Sequence, residues 1–232
     1  MAYIVPKPLV DQVVTLVKAV ERQVTNDYRM GIYKKEDQLT GALVSQLNRA
    51  LENVSILGIK VLAVAFGQKE EILTGADLAV MLNVDFPDFR LSKVFIAQAK
   101  KCECFKQRGY TLSDGNIDKR LIDQIKKMID VTTSAFVMIF TRNFNCGILL
   151  FPAGDILALN GRISCRLLTG LYHAHLYDII ARFLKCHIGD PRISAKYWGP
   201  KGLRQFISDY NIRYGLLLQL ISERRRLDME SG

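Results

Sequence analysis

The chain has 232 residues, 49% of them hydrophobic, and its 32 lysines and arginines against 23 acids give a net charge of +9. That length and apolar share can build one sizeable core, and no apolar span of about 18 or more residues is present to cross a membrane. The positive balance suits a polyanionic partner such as nucleic acid, and it fits equally well a basic protein with no such partner.

The N-terminal MAYIVPKPLVDQ lacks a charged-then-apolar leader pattern. The five cysteines, Cys102, Cys104, Cys146, Cys165 and Cys186, are an odd number in a chain that can build its own core. Both features lead to the expectation of reduced thiols and a cytoplasmic protein without a membrane segment.

Val10, Val13, Val17, Val20 and Val24 recur at three- and four-residue spacing, which predicts an amphipathic helix over Leu9–Val24. A polar connection, Asn26–Tyr33, leads to a second helix over Glu36–Asn53, with Leu39, Leu43, Leu47 and Leu51 in one stripe and Glu36 at its border. IKVLAVAF at 59–66 reads as a first core strand, closed by the charged turn QKEE. Two further strands, Ala76–Val84 and Lys93–Lys100, form a hairpin around Pro87. Beyond a polar loop, Cys102–Asn116, come a helix over Asp118–Asp130 and strands over Ser134–Thr141 and Cys146–Phe151. After Pro152 the pattern predicts helices over Leu167–Cys186 and Pro200–Arg226. Between those helices, Arg192, Lys196, Trp198 and Lys201 mix positive charge with aromatic surface, a combination able to grip phosphates and stack on bases, or else simply to form a solvated loop anchored by Trp198. His173, His175 and His187 show no nucleophile or metalloprotease spacing.

Chemistry concentrates in LTGADLAVMLNVDFPDFRLSKVFIAQAKK, residues 73–101. Alternate residues of a strand share a face, so Gln98 and Lys100 point the same way, and Asp77 at the edge of the partner strand lies on that face too. A carboxylate, a carbonyl oxygen and an ammonium meeting at one spot is what metal-assisted phosphodiester hydrolysis needs: oxygens for a hard cation, and a lysine to orient water and offset developing charge. The competing reading makes Asp77 a turn cap and Lys100 with Lys101 a solvated strand end. Glu70 and Glu71 are alternative acids, with a solvated turn as their simpler explanation.

GADL followed by an apolar strand ending in QAKK resembles the PD-(D/E)XK, or restriction-endonuclease-like, nuclease superfamily, in the variant where Gln replaces the second acid. KKEDQLTGALVSQL resembles its first helix, which implies Glu36 as a metal ligand. LIDQIKKMIDVTTSAFVMIF resembles the helix and strand after the Gln-x-Lys strand, which implies Gln124 at the border of the site.

The resemblance implies an α/β fold, with a restriction-endonuclease-like core of a central mixed sheet flanked by helices over residues 1–152 and a helical C-terminal extension over 153–232. It implies an Mg²⁺- or Mn²⁺-dependent endonuclease in which Asp77, Glu36 and the Gln98 carbonyl hold the ion, Lys100 activates water, and Gln124 supports them. Thr40 and Lys101 join the loop residues as nucleic-acid contacts. The expected substrate is DNA ahead of RNA, and the expected setting is bacterial restriction or anti-phage defence, with a regulatory partner or self-assembly restraining the enzyme. The rival readings are an inactive nuclease fold serving as a nucleic-acid-binding or scaffold subunit, and a basic interaction protein with no nucleic-acid role.

Overall fold

The computed structural model describes residues 4–52, 54–67, 74–102, 119–142, 146–159 and 170–222. Glu70, Glu71, Glu223–Arg226 and the loop after Cys102 lie outside them. The described residues form α1 (Lys7–Arg29), α2 (Glu36–Leu51), β1 (Ser55–Ile56), β2 (Ile59–Gly67), β3 (Leu78–Phe86), β4 (Phe89–Cys102) and α3 (Lys119–Val131). They continue with β5 (Ala135–Thr141), β6 (Ile148–Pro152), α4 (Ala153–Ala158), β7 (Ala174–His175), α5 (Leu176–Leu184), α6 (Pro191–Ser194), α7 (Gly199–Asp209) and β8 (Tyr214–Ser222).

The strands make one mixed sheet in the order β1-β2-β8-β3-β4-β5-β6-β7. β3 and β4 pair as an antiparallel hairpin, and β5 returns parallel to β4 after the α3 crossover. Helices cover both faces. Leu78, Val80, Leu82 and Val84 of β3 pack into the core beneath α1, α2 and α5, while Ala79 and Met81 face the core beneath α3, α4 and α7. Buried on both faces, β3 and β4 read as continuous apolar runs, and that is why the hairpin is legible in the sequence.

The main correction concerns the C-terminus. The helix expected over Pro200–Arg226 stops at Asp209; Asn211 takes a left-handed φ of 53°, and residues 214–222 form a strand between β2 and β3. The sequence LLLQLI has no periodicity that separates buried helix from buried strand, and the open slot in the sheet decided between them. The helix expected over Leu167–Cys186 is likewise shorter, spanning Leu176–Leu184 after the two-residue strand β7. Cys102 is disulfide-bonded, against the expectation of reduced thiols, whereas Cys146 and Cys186 are free. No helix among the described residues is long and apolar enough to cross a membrane.

Buried polar side chains lock the far end of the hairpin. Lys93 donates to the carbonyls of Phe183 and Ile188, closing the C-terminal end of α5, and burial holds its pKa below the ordinary value. Asp190 occupies the ladder slot beside Val94 that β5 has not yet reached, with its N–H 2.8 Å from the Val94 carbonyl. Its carboxylate caps α6 through the Arg192 N–H, pairs with the Arg192 guanidinium at 2.9 Å and accepts from Thr132 Oγ1 at 3.1 Å.

Arg192 holds the Asp190 carboxyl below its usual range. The resulting stabilisation is therefore present above the unfolded carboxylate pKa of about 3.9 and is lost as pH falls through the lower folded value. Asp190→Ala is expected to cost about 1–3 kcal/mol in denaturant melts at pH 7, and the gap to wild type should narrow in acid.

Candidate active site

The site forms where β4 ends and β3 and β8 begin. Gly75, at φ 80°, lets the turn before β3 press onto α3: a Cβ there would lie 2.6 Å from the Cα of Gln124. This close approach seats Gln124 against the turn that leads into Asp77. The Asp77 N–H donates to the Ala97 carbonyl and its own carbonyl accepts from Tyr214 N–H, both at 2.9 Å, so the aspartate backbone is tied to a strand on each side.

Asp77 is 7% exposed. Its Oδ2 accepts from the Ala99 N–H at 2.9 Å and from Gln98 Nε2 at 2.5 Å. Burial pushes the carboxyl up to about 6 and the Glu36 charge adds to that, while the Ala99 N–H and the cations of Arg213 and Lys100 pull it down. The second nitrogen contact of Gln98 is to the Ala99 carbonyl at 3.1 Å. Gln98 thus serves Asp77 as a hydrogen-bond donor in this state. Its Oε1, together with Gln124 Oε1 and Thr74 Oγ1, is buried with no partner among the described residues. The free Gln98 oxygen belongs to the same carboxamide whose nitrogen binds Asp77.

Glu36 arrives from the first turn of α2. Gln38 Oε1 fixes that turn by accepting from the N–H groups of Lys34 and Lys35. Glu36 Oε1 accepts from the Lys101 N–H at 3.2 Å, and Oε2 lies 3.9 Å from Lys100 Nζ. Of the residues expected at one site from the sequence, Asp77, Glu36, Gln98 and Lys100 lie near one another, and Gln124 packs against the Gly75 turn before Asp77. Thr40 does not serve as expected: it is fully buried and donates to the Glu36 carbonyl one turn back, out of reach of any phosphate.

The loop cations also lie elsewhere. Ser92 Oγ donates to the carbonyls of Ser194 and Tyr197, and Gly199 N–H to Asn83 Oδ1, which seats Arg192, Lys196, Trp198 and Lys201 at the turn end of the hairpin. Ser92 and Gln98 are six strand residues apart, about 20 Å. Arg192 is held by Asp190, and Trp198 lies under the Arg90 guanidinium at 4.3 Å. The positive charge beside Asp77 comes instead from Arg213 and Lys100.

Sequence reading missed β8. Tyr214 binds the Asp77 carbonyl through its N–H and the Asp37 carbonyl through its hydroxyl at 3.0 Å, bracing the strand that carries one acid against the helix that carries the other. Gly41 and Gly67 leave room for its ring, which passes within 3.4 Å of where a Cβ on either would sit. Two glycines facing one tyrosine is the signal, and it is visible only once the sheet order is known.

Among the described residues no group of three or more His, Cys, Asp or Glu converges as a metal cage. The available set is two carboxylates with neutral oxygens, which fits a hard cation that keeps most of its waters. Tyr214→Phe removes only the hydroxyl bond and is expected to cost about 0.5–1.5 kcal/mol of stability by chemical denaturation. Neutralising Lys196 and Lys201 together should leave unchanged the salt dependence of any polyanion bound at Asp77, measured by fluorescence anisotropy. No protein-family model matches the chain, and no curated protein or solved structure shows significant similarity to it.

Proposed function

We propose that the chain is a metal-dependent endonuclease that hydrolyses phosphodiester bonds, with DNA as its preferred substrate. The observation that carries this reading is the cluster at the hairpin's open end: buried Asp77 against Gln98, with the Lys100–Glu36 pair two residues along the same strand. The element order α2, β2, β3, β4, α3, β5, with β4 and β5 parallel, supports a restriction-endonuclease-like core. A role in bacterial restriction or anti-phage defence, in the cytoplasm and under the control of a partner or of self-assembly, belongs to the same proposal.

Asp77 and Glu36 would hold Mg²⁺ or Mn²⁺ with the Gln98 carbonyl oxygen. Such an ion supplies polarisation of a phosphoryl oxygen and a more acidic water. Gln98 Nε2 sits between Asp77 Oδ2 and the Ala99 carbonyl; exchanging the ends of its carboxamide would place Oε1 there and leave only oxygens facing the site. Lys100, steered by Glu36, orients the attacking water and offsets negative charge on the phosphate oxygens. In the hydrolysis the water oxygen bonds to phosphorus, the bond to one sugar oxygen breaks, and that oxygen takes up a proton.

The hydrogen bond from Gln98 to Asp77 also favours a second reading, an inactive nuclease fold that binds nucleic acid or acts as a scaffold, because it stabilises the carboxylate without any ion. Incubation of the pure protein with plasmid DNA and with RNA, in Mg²⁺, Mn²⁺ or chelator, separates the two. Asp77→Ala and Lys100→Ala are each expected to lower metal-dependent cleavage at least ~100-fold with circular dichroism unchanged. Gln98→Glu should tighten divalent-ion binding in calorimetry, and Gln98→Ala should lose activity. Wild-type rates in Asp77→Ala or Lys100→Ala would exclude this site.

A further inference from the structure

The insertion of β8 into the sheet brings to Asp77 a guanidinium that joins the Lys100 ammonium of the hairpin. We infer that Arg213 is the phosphate-binding residue of this site, its guanidinium holding the phosphodiester beside Asp77. The inference rests on the phosphodiesterase reading for its chemistry but has a test of its own.

Its geometry follows from strand register. Tyr214 pairs with Leu78 in the parallel β3–β8 ladder, and the Tyr214 N–H lies 2.9 Å from the Asp77 carbonyl. Arg213 contributes the other half of that peptide bond and therefore sits level with Asp77, immediately before β8 as Asp77 is immediately before β3. Gly215, two residues on, faces Leu203 and Ile207 of α7, on the side of the sheet where Ala79 and Ile96 are buried. By strand alternation, Arg213, Asp77, Gln98 and Lys100 share that side.

Among the described residues ion pairs join Asp85 to Arg90, Asp190 to Arg192, Glu21 to His175 and Glu36 to Lys100, and none of them uses Arg213. Arg213 has no hydrogen bond or ion pair of its own with any described residue. It is half-buried, so its charge is less screened than that of exposed Lys34 or Lys35. A planar guanidinium presents paired N–H donors that match two oxygens of one phosphate, which an ammonium cannot do. Lys100 and Arg213 then divide the work. The lysine, drawn toward Glu36, faces the water, and the arginine takes the non-bridging oxygens.

The test compares wild type, Arg213→Ala and Arg213→Lys at matched circular dichroism and melting temperature. A labelled DNA duplex is titrated in chelator at several salt concentrations, and cleavage is followed in Mg²⁺. Arg213→Ala should lower the slope of log K against log salt by about one unit, with Arg213→Lys keeping the wild-type slope. In Mg²⁺, kcat/KM should fall about 100-fold in Arg213→Ala, Arg213→Lys should recover only part of it, and added guanidinium should partly rescue the alanine variant. An unchanged slope in Arg213→Ala overturns the inference, and so does wild-type cleavage by that variant. If wild type cleaves nothing but Arg213→Ala still loses one unit of slope, the hydrolase reading falls and Arg213 stands as the phosphate ligand.

Discussion

The candidate site hangs on the way Asp77 is tied into the sheet. Its N–H bonds to β4, its carbonyl to β8, and its carboxylate to the Ala99 N–H and the Gln98 amide. A carboxylate buried this far stays charged only if hydrogen bonds and nearby cations replace the water it lost. The strand ends must therefore meet in one register, because a slip of a single residue would turn Gln98 and Lys100 to the opposite face. The polar cluster in this way constrains the fold as much as the fold positions the cluster.

Hydrogen bonds answer only part of the polar surface near the start of β3. Ala99 and Gln98 satisfy one oxygen of Asp77, while the free oxygens of Gln98, Gln124 and Thr74 go unpartnered among the described residues. In a core such groups cost stability unless something else answers them. A hydrated divalent cation and a phosphodiester would supply opposite halves of what is missing there. The ion would answer the unpaired oxygens, and the phosphate would answer Lys100 and Arg213.

Different elements hold the two ends of the hairpin. At its turn end, Lys93, Asp190 and Ser92 knit the loop after α5 and the start of α7 onto the strands. At its open end Tyr214 carries two ties at once, to the carbonyls of Asp77 and Asp37. The basic, aromatic loop around Trp198 belongs to the turn end: its carbonyls accept from Ser92, and its Gly199 N–H answers the buried Asn83 amide. Its composition resembles a nucleic-acid surface, but its hydrogen bonds are those of a structural clasp.

The amino-acid sequence by itself determined the hairpin and its chemistry, because period-2 alternation places Gln98 and Lys100 on one face without reference to the rest of the chain. The leucine stripe of α2 likewise brought Glu36 to the border of the core, and the apolar runs of β2 through β5 declared an α/β fold. Tertiary structure alone decided the rest. The run LLLQLI at 216–221 is compatible with a helix or a strand, and the vacant edge between β2 and β3 made it a strand. That choice brought Arg213 and Tyr214 to Asp77 across 136 residues of sequence, a neighbourhood that no local pattern encodes. Thr40 moved out of the site for a similar reason: its place inside the α2 core satisfies its hydroxyl with a helix carbonyl. Local periodicity fixes which side a residue faces, but which strand lies beside it depends on the packing of the whole sheet.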